Sequence, residues 1–386
     1  MIGLRVIQVL DHLRVSAAAS SAINIMRWLQ ANGHDGLLLS GKGERERDVR
    51  EESLPLRLYA QGGAGWWFGG RRRLIADIEA WNADLLHIHH LDCLGVFLSV
   101  AGKLQLPVVV SVGRQPTANE AELLRDPQVA MLLAPSESGR AHLVGRLGFD
   151  RDRVVVVPYG LDLTRYPQVD PPQELRTIGT VGRFEPRFGF EVMLDALAQL
   201  REQNIRLKAT LVGNGNGAGR LMEHVERCHL GEQVTIIPGA SRTSRILSQL
   251  DCFVYPARED LLTLGVLKAM ACARPVVASA VGSVTEWVHE GHNGILVPPG
   301  DANALAEALS SLYHQPQRMA EMGNAARVDV RKHHDLTIVG TALHECYRSV
   351  LRRGTTQVDT EIIRAYRRLT SDEASRSSSS SRFKTP

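Results

Sequence analysis

Arg183 stands directly after the strand-like run TIGTVG (177–182), where a guanidinium can fork onto phosphate oxygens. A second run, LKATLVG (207–213), leads into GNGNGAG (213–219). Its glycines permit close backbone approach, and the helix that follows offers N–H groups to an anion. A third loop, PAREDLLTLGVLKAM, follows the run CFVYP (252–256). Ligands of open parallel sheets bind beyond the carboxyl ends of the strands, so the three loops are expected to converge on one phosphate-binding cleft.

Other chemistries compete for some of these residues. The spacing Gly213-x-Gly215-x-x-Ala218 also satisfies a dinucleotide fingerprint, which would imply an oxidoreductase. That fingerprint belongs in a first βαβ unit, whereas this one follows a strand deep in the second half. His87, His89, His90 and Asp92 are metal-ligand types, with His87 and His89 on one face of a strand. Glu286, after VGSVT, reads equally as a contact near the donor and as a carboxylate favoured at a helix start. Cys93, Cys228, Cys252, Cys272 and Cys346 are odd in number, scattered and never spaced Cys-x-x-Cys, so they read as small buried residues of a reducing compartment.

The elements that position these residues alternate between short apolar strands and helical patterns. RVIQVL (5–10), LLHIH (85–89), PVVVSV (107–112), AMLLAP (130–135) and RVVVVP (153–158) form one set. Near-continuous apolar runs imply burial on both faces, the mark of a parallel sheet covered by helices. The stretch TRYPQVDPPQE (164–174) interrupts the rhythm as a linker. A second set then follows, adding VTIIPG (234–239), PVVAS (275–279) and GILVP (294–298), with a helical face at Phe190, Met193, Leu194, Leu197 and Leu200. The expected layout is therefore an N-terminal domain over 1–165, a linker at 166–176, a C-terminal domain over 177–350 that includes the last helix, and a disordered serine-rich tail at 371–386.

Composition agrees with two folded cores. The chain has 386 residues, 44% of them apolar and 23% charged, too long for one ordinary core and far from the signature of disorder. The net charge of +3 is too small to imply nucleic-acid binding. No run approaches the roughly 20 apolar residues of a spanning helix, and Met1 leads straight into a strand-like segment rather than a signal. The expected location is cytoplasmic. Trp66-Trp67-Phe68 beside Arg71, Arg72 and Arg73 suits a peripheral contact with the inner face of the plasma membrane, while a solvated helix start with its aromatics in the core accounts for the same residues.

The ordered motifs of both halves resemble the retaining glycosyltransferases built from two Rossmann-like domains facing a cleft, the GT-B architecture. The resemblance rests on NGHDG (32–36), DLLHIHH (84–90), APSESGRAHLV (134–144), VVPYGLDLTRY (156–166), VGRF (181–184), LVGNG (211–215), AMACARPVVAS (269–279) and VGSVTEWVHEGHNGILVPPGD (281–301). It implies transfer of a sugar from a nucleoside diphosphate donor to a glycan or lipid-linked acceptor, without a metal or other cofactor. The implied donor-binding positions are Gly182, Arg183, Gly213, Asn214, Gly215, Pro238, Leu264, Gly265, Val266 and Lys268. Arg183 and Asp260 are the implied catalytic residues.

Several positions depart from that pattern. The family's lysine falls on Phe188, with Arg187 adjacent, and the two glutamates of its Glu-x₇-Glu pair fall on Asp260 and Lys268. A lysine has three donors and no acceptor, so Lys268 cannot receive ribose hydroxyls as a glutamate does. In the first domain the glycine pair near the diphosphate falls on Ser16 and Ala17, and a sugar-contacting histidine falls on Gly113. The alternative expectation is a degenerate relative that binds without catalysing.

Overall fold

The computed structural model describes residues 3–59, 69–167, 169–170, 172–239, 243–260 and 264–353. Trp66–Phe68 and the serine-rich tail lie outside the described residues. The chain divides into two units, residues 1–161 with 335–386, and residues 162–334.

The first unit carries seven strands: β1 (Arg5–Val9), β2 (Asp35–Ser40), β3 (Leu56–Leu58), β4 (Leu85–Ile88), β5 (Val108–Ser111), β6 (Val129–Ala134) and β7 (Val154–Val156). They lie in the order β3-β2-β1-β4-β5-β6-β7, every pair parallel. The apolar runs are buried on both faces, as parallel sheets require. Ile7, Val9, Leu86 and Ile88 face one helical layer, whereas Val6, Leu85 and Val109 face the layer that holds Trp28. DGLLLS forms β2 beside the apolar runs expected from sequence, and its leucines carry the same signal.

The second unit carries β8 (Thr177–Arg183), β9 (Lys208–Asn214), β10 (Val234–Pro238), β11 (Cys252–Tyr255), β12 (Val276–Ser279) and β13 (Gly294–Val297). Their order is β10-β9-β8-β11-β12-β13, again all parallel. Met193, Leu194, Leu197 and Leu200 of the helix Phe190–Glu202 pack with Ile178, Leu211 and Val254 of the sheet. Each unit is a doubly wound, Rossmann-like sheet whose strand order reverses once, between β1 and β4 and between β8 and β11.

The last helix corrects the expected layout. Leu336–Arg353 belongs to the first unit, not to the domain that precedes it in sequence. Its Leu343, Cys346, Tyr347 and Val350 complete the apolar layer around Trp28, and a side chain at Gly340 would collide with the Trp28 ring. Tyr347 also reaches a buried polar network. Its hydroxyl lies 2.7 Å from His87 Nδ1 and accepts a hydrogen bond from Gln8 Nε2 at 3.2 Å. The apolar face of this helix is thus matched to a layer made by residues far earlier in the chain.

Candidate active site

Within the second unit, the loops that leave β8, β9, β10 and β11 interlock at the carboxyl edge of the sheet. Gly182 pairs with Gly213, Arg183 with Asn214, and Pro238 with Gly213. A Cβ at Gly213 would fall 2.3 Å from Gly182 O, which is why no side chain fits there. Phe184 N–H donates to Asn214 O at 2.8 Å, and Gly239 N–H donates to Gly213 O at 2.9 Å. Gly215, at φ +125°, occupies backbone space that favours glycine.

The β8 loop is locked to the β11 loop as well. Arg258 N–H donates to Arg187 O at 2.9 Å, and a Cβ at Gly189, whose φ is +67°, would fall 1.9 Å from Pro256 O. The edge therefore gathers Gly182, Arg183, Gly213, Asn214, Gly215 and Pro238 at the end of three adjacent strands. Asp260, Leu264, Gly265, Val266 and Lys268 follow the fourth.

Two helix starts face this edge without a side-chain cap. Ala218–Arg227 begins after Gly217, and Gly265–Ala271 begins after Leu264. The N–H groups at the start of Ala218–Arg227 suit an anion. Arg183 and Arg187 add charge, but both are engaged by one carboxylate. Arg183 Nε donates to Glu185 Oε1 at 2.5 Å, and Arg187 Nε donates to Glu185 Oε2 at 2.9 Å. The hydrogen bond from Arg183, above all, holds the Glu185 carboxyl below its ordinary value.

Phe188 does not stand in for a cation. Its ring packs on Gly182, where a Cβ would fall 2.6 Å from Phe188 Cδ1, and it also packs against the core. The guanidinium of Arg187 lies 5.8 Å from the same ring. Lys268 is half-buried within the helix Gly265–Ala271 and is not without interactions of its own.

Asp260 turns toward a neighbouring loop. Its carboxyl is wedged against Gly282, where a Cβ would fall 1.8 Å from Asp260 Cγ, and it accepts a backbone hydrogen bond from Ser283. Burial raises it above the ordinary carboxylate range, and the charge of Glu286 adds to the effect. Asp260 and Glu286 are thereby brought together at the start of the helix Val284–Trp287.

In the first unit, Ser16 caps the helix Ala17–Ala31, its Oγ accepting from Ala19 N at 3.0 Å. Gly113 lies just beyond β5. A Cβ there would fall 2.9 Å from the hydroxyl of Tyr159, so this tyrosine of the VVPYGLDLTRY motif occupies the space a side chain at 113 would take. Both line a small cavity of about 30 Å³ with Asn24, His87, Ser111 and Gly160. The histidines of DLLHIHH do not converge with Asp92. His87 bonds Tyr347 and Ser111, His89 Nε2 bonds Gln8, His90 meets Asp11, and Asp92 pairs with Arg114.

Comparison with known proteins identifies the family. Residues 166–329 match the family model described as "Glycosyl transferases group 1", and residues 18–165 match "Glycosyltransferase Family 4". The chain belongs to the group 1 glycosyltransferases. The chain is 28% identical over 280 residues to the D-inositol 3-phosphate glycosyltransferase of Rhodococcus opacus, a match covering 68% of this chain and 61% of the relative. It is 29% identical over 279 residues to the enzyme of the same name from Pseudarthrobacter chlorophenolicus, covering 68% and 64%. The matches thus span less than two thirds of these relatives' length. Among solved structures, Anabaena HepE in complex with UDP and glucose has a TM-score of 0.79 at 18% identity, covering 90% of this chain and all of that one. The GT-B fold is shared, with a sheet of seven parallel strands in one unit and of six in the other.

Proposed function

We propose that this glycosyltransferase moves a hexosyl group from a nucleoside diphosphate sugar to a glycan or lipid-linked acceptor, with retention at the anomeric carbon. The observation that carries the donor half is the interlocked edge of the second unit. There Arg183, a glycine loop and the start of the helix Ala218–Arg227 offer positive potential to a diphosphate leaving group. Preorganised donors aimed at developing charge are usually the largest catalytic contribution, and losing one costs on the order of 10²-fold. Such a site releases a diphosphate without a metal. UDP is the first donor nucleotide to test, since HepE was crystallised with it.

The acceptor half rests on the first unit. Arg71, Arg72 and Arg73 open the helix Arg71–Trp81 with no acidic residue in its first turn. Three cations oppose the helix dipole at that end, so their placement favours an anionic partner such as a lipid headgroup. Among the described residues, no helix is long and apolar enough to cross a membrane. A second reading, nucleotide binding without turnover, is favoured by the ring of Phe188 on Gly182 and by the charge of Lys268.

The test is a donor screen by calorimetry followed by product analysis. UDP-sugar binding with transfer to lipid-linked, glycan or inositol phosphate acceptors supports the enzyme, and an α-product from an α-donor supports retention. Binding without transfer to any of these acceptors supports the second reading, and absence of binding to every donor overturns both. Loss of flotation with anionic vesicles on replacing Arg71–Arg73 by alanine supports the membrane contact, and no flotation of the parent removes it.

A further inference from the structure

In the first unit, the strand order reverses between β1 and β4, and the crevice beyond the carboxyl ends at such a reversal is where parallel sheets hold ligands. Asp11 and His12 follow β1 at this crevice, and His90 follows β4. Asp11 Oδ1 lies 3.1 Å from His12 Nδ1 and contacts His90 Nδ1, and the three donor atoms all lie within 4.8 Å of one another. The two imidazole rings meet edge-on with centroids 5.1 Å apart.

His12 Nδ1 is buried without a hydrogen-bond partner, and the buried Asp11 Oδ1 has the His90 contact as its side-chain partner. His90 Nδ1 accepts a long hydrogen bond of 3.3 Å from Asp11 N–H, so in this arrangement that nitrogen presents a lone pair. Three such atoms turned on one another need a proton or a cation among them. A tetrahedral zinc site with bonds of about 2.0–2.1 Å spaces its donors by roughly 3.3 Å, close to the Asp11–His12 separation, while the shorter Asp11–His90 contact must open to admit an ion. The backbone around the cluster is braced. Cys93 Sγ donates to His90 O at 3.2 Å, Tyr59 OH donates to Leu10 O at 2.8 Å, and Gly41 is packed so closely that a Cβ would fall 2.3 Å from Asp11 O.

We infer that Asp11, His12 and His90 form a binding site for a divalent transition-metal ion of the zinc class, with one coordination position open to an oxygen ligand. Two imidazoles and a carboxylate suit zinc or cobalt better than magnesium or calcium, which prefer all-oxygen sets. A second group of similar residue types, Asp195, His224 and Cys228, serves as the contrast. Both ring nitrogens of His224 are already engaged, by Asp195 at 2.7 Å and by Arg227 at 2.7 Å.

The full chain, stripped with a chelator, is titrated with Zn²⁺ by calorimetry and with Co²⁺ by visible absorption. One equivalent of each is expected to bind, with the cobalt band of a four-coordinate nitrogen and oxygen site. Asp11→Asn, His12→Gln and His90→Gln should each weaken binding at least tenfold, and His224→Gln should leave it unchanged. His12 is the most exposed of the three, so its variant keeps the test open if the others fail to fold. No saturable binding by the parent chain, equal binding by His12→Gln, or loss only in His224→Gln would each overturn the site. In the first of these outcomes a proton on a histidine ring nitrogen, donated to Asp11, accounts for the cluster.

Discussion

Arg183 donates from Nε to the carboxylate of Glu185 at 2.5 Å, so the cation placed at the end of β8 is engaged within its own loop before any donor arrives. An incoming diphosphate must compete with Glu185, which is charged at neutral pH because its carboxyl is held low. Arg183→Ala is expected to weaken UDP binding about tenfold or more, consistent with a lost charge-assisted hydrogen bond. Glu185→Gln should tighten it several-fold at low salt, and less at high salt. Calorimetry at two ionic strengths checks both, and unchanged affinity in both variants would remove Arg183 as a phosphate ligand.

Lys268, in the helix that follows β11, is a further cation, and we propose that it supplies the charge that Phe188 does not. Lys268→Ala should lower turnover by about tenfold or more, in the range expected for one stabilising group. Steady-state assays with the donor found by screening measure it. Phe188→Lys, by contrast, should cost stability because its ring packs on Gly182 and the core.

Gly189→Ala places a Cβ against Pro256 O in a backbone conformation that L-residues rarely adopt. The expected loss is about 2 kcal/mol or more for the second unit. Urea unfolding measures it, and a change under about 0.5 kcal/mol would mean that the two loops are not locked as described.

Burial pushes the His87 imidazole down to about 3. The folded unit therefore holds it neutral, while the unfolded chain takes up a proton below its ordinary value of 6.5. Its effect on stability is nil above that value and grows as pH falls toward 3, reaching about 2 kcal/mol of lost stability at about pH 5. His87→Asn should lower stability at pH 7 yet flatten its fall between about pH 6.5 and 5. An unchanged slope would show that His87 is not held neutral.

Tyr347→Phe removes the hydroxyl that bonds His87 and accepts from Gln8 inside the first unit. The stranded groups should cost about 1–3 kcal/mol. Loss of stability in the early-melting or late-melting transition, whichever His87→Asn also shifts, would place both residues in one cooperative unit.

The sequence by itself determined the two parallel sheets, because buried strands must be apolar along their whole length and so announce themselves locally. It also determined that Arg183 and the glycines at 213 and 215 lie at or just past strand ends, since strand, loop and glycine are neighbours in the chain. Tertiary structure alone decided that Leu336–Arg353 completes the first unit, that Phe188 is spent on packing against Gly182, and that Tyr159 fills the space at Gly113. It alone sorted DLLHIHH, sending His87 and His89 into the core and His90 to Asp11. Asp11 and His90 are 79 residues apart, as Gln8 and Tyr347 are 339 apart. No periodicity or spacing records such pairs, since they follow from which strands become neighbours and which apolar layer a distant helix can cover.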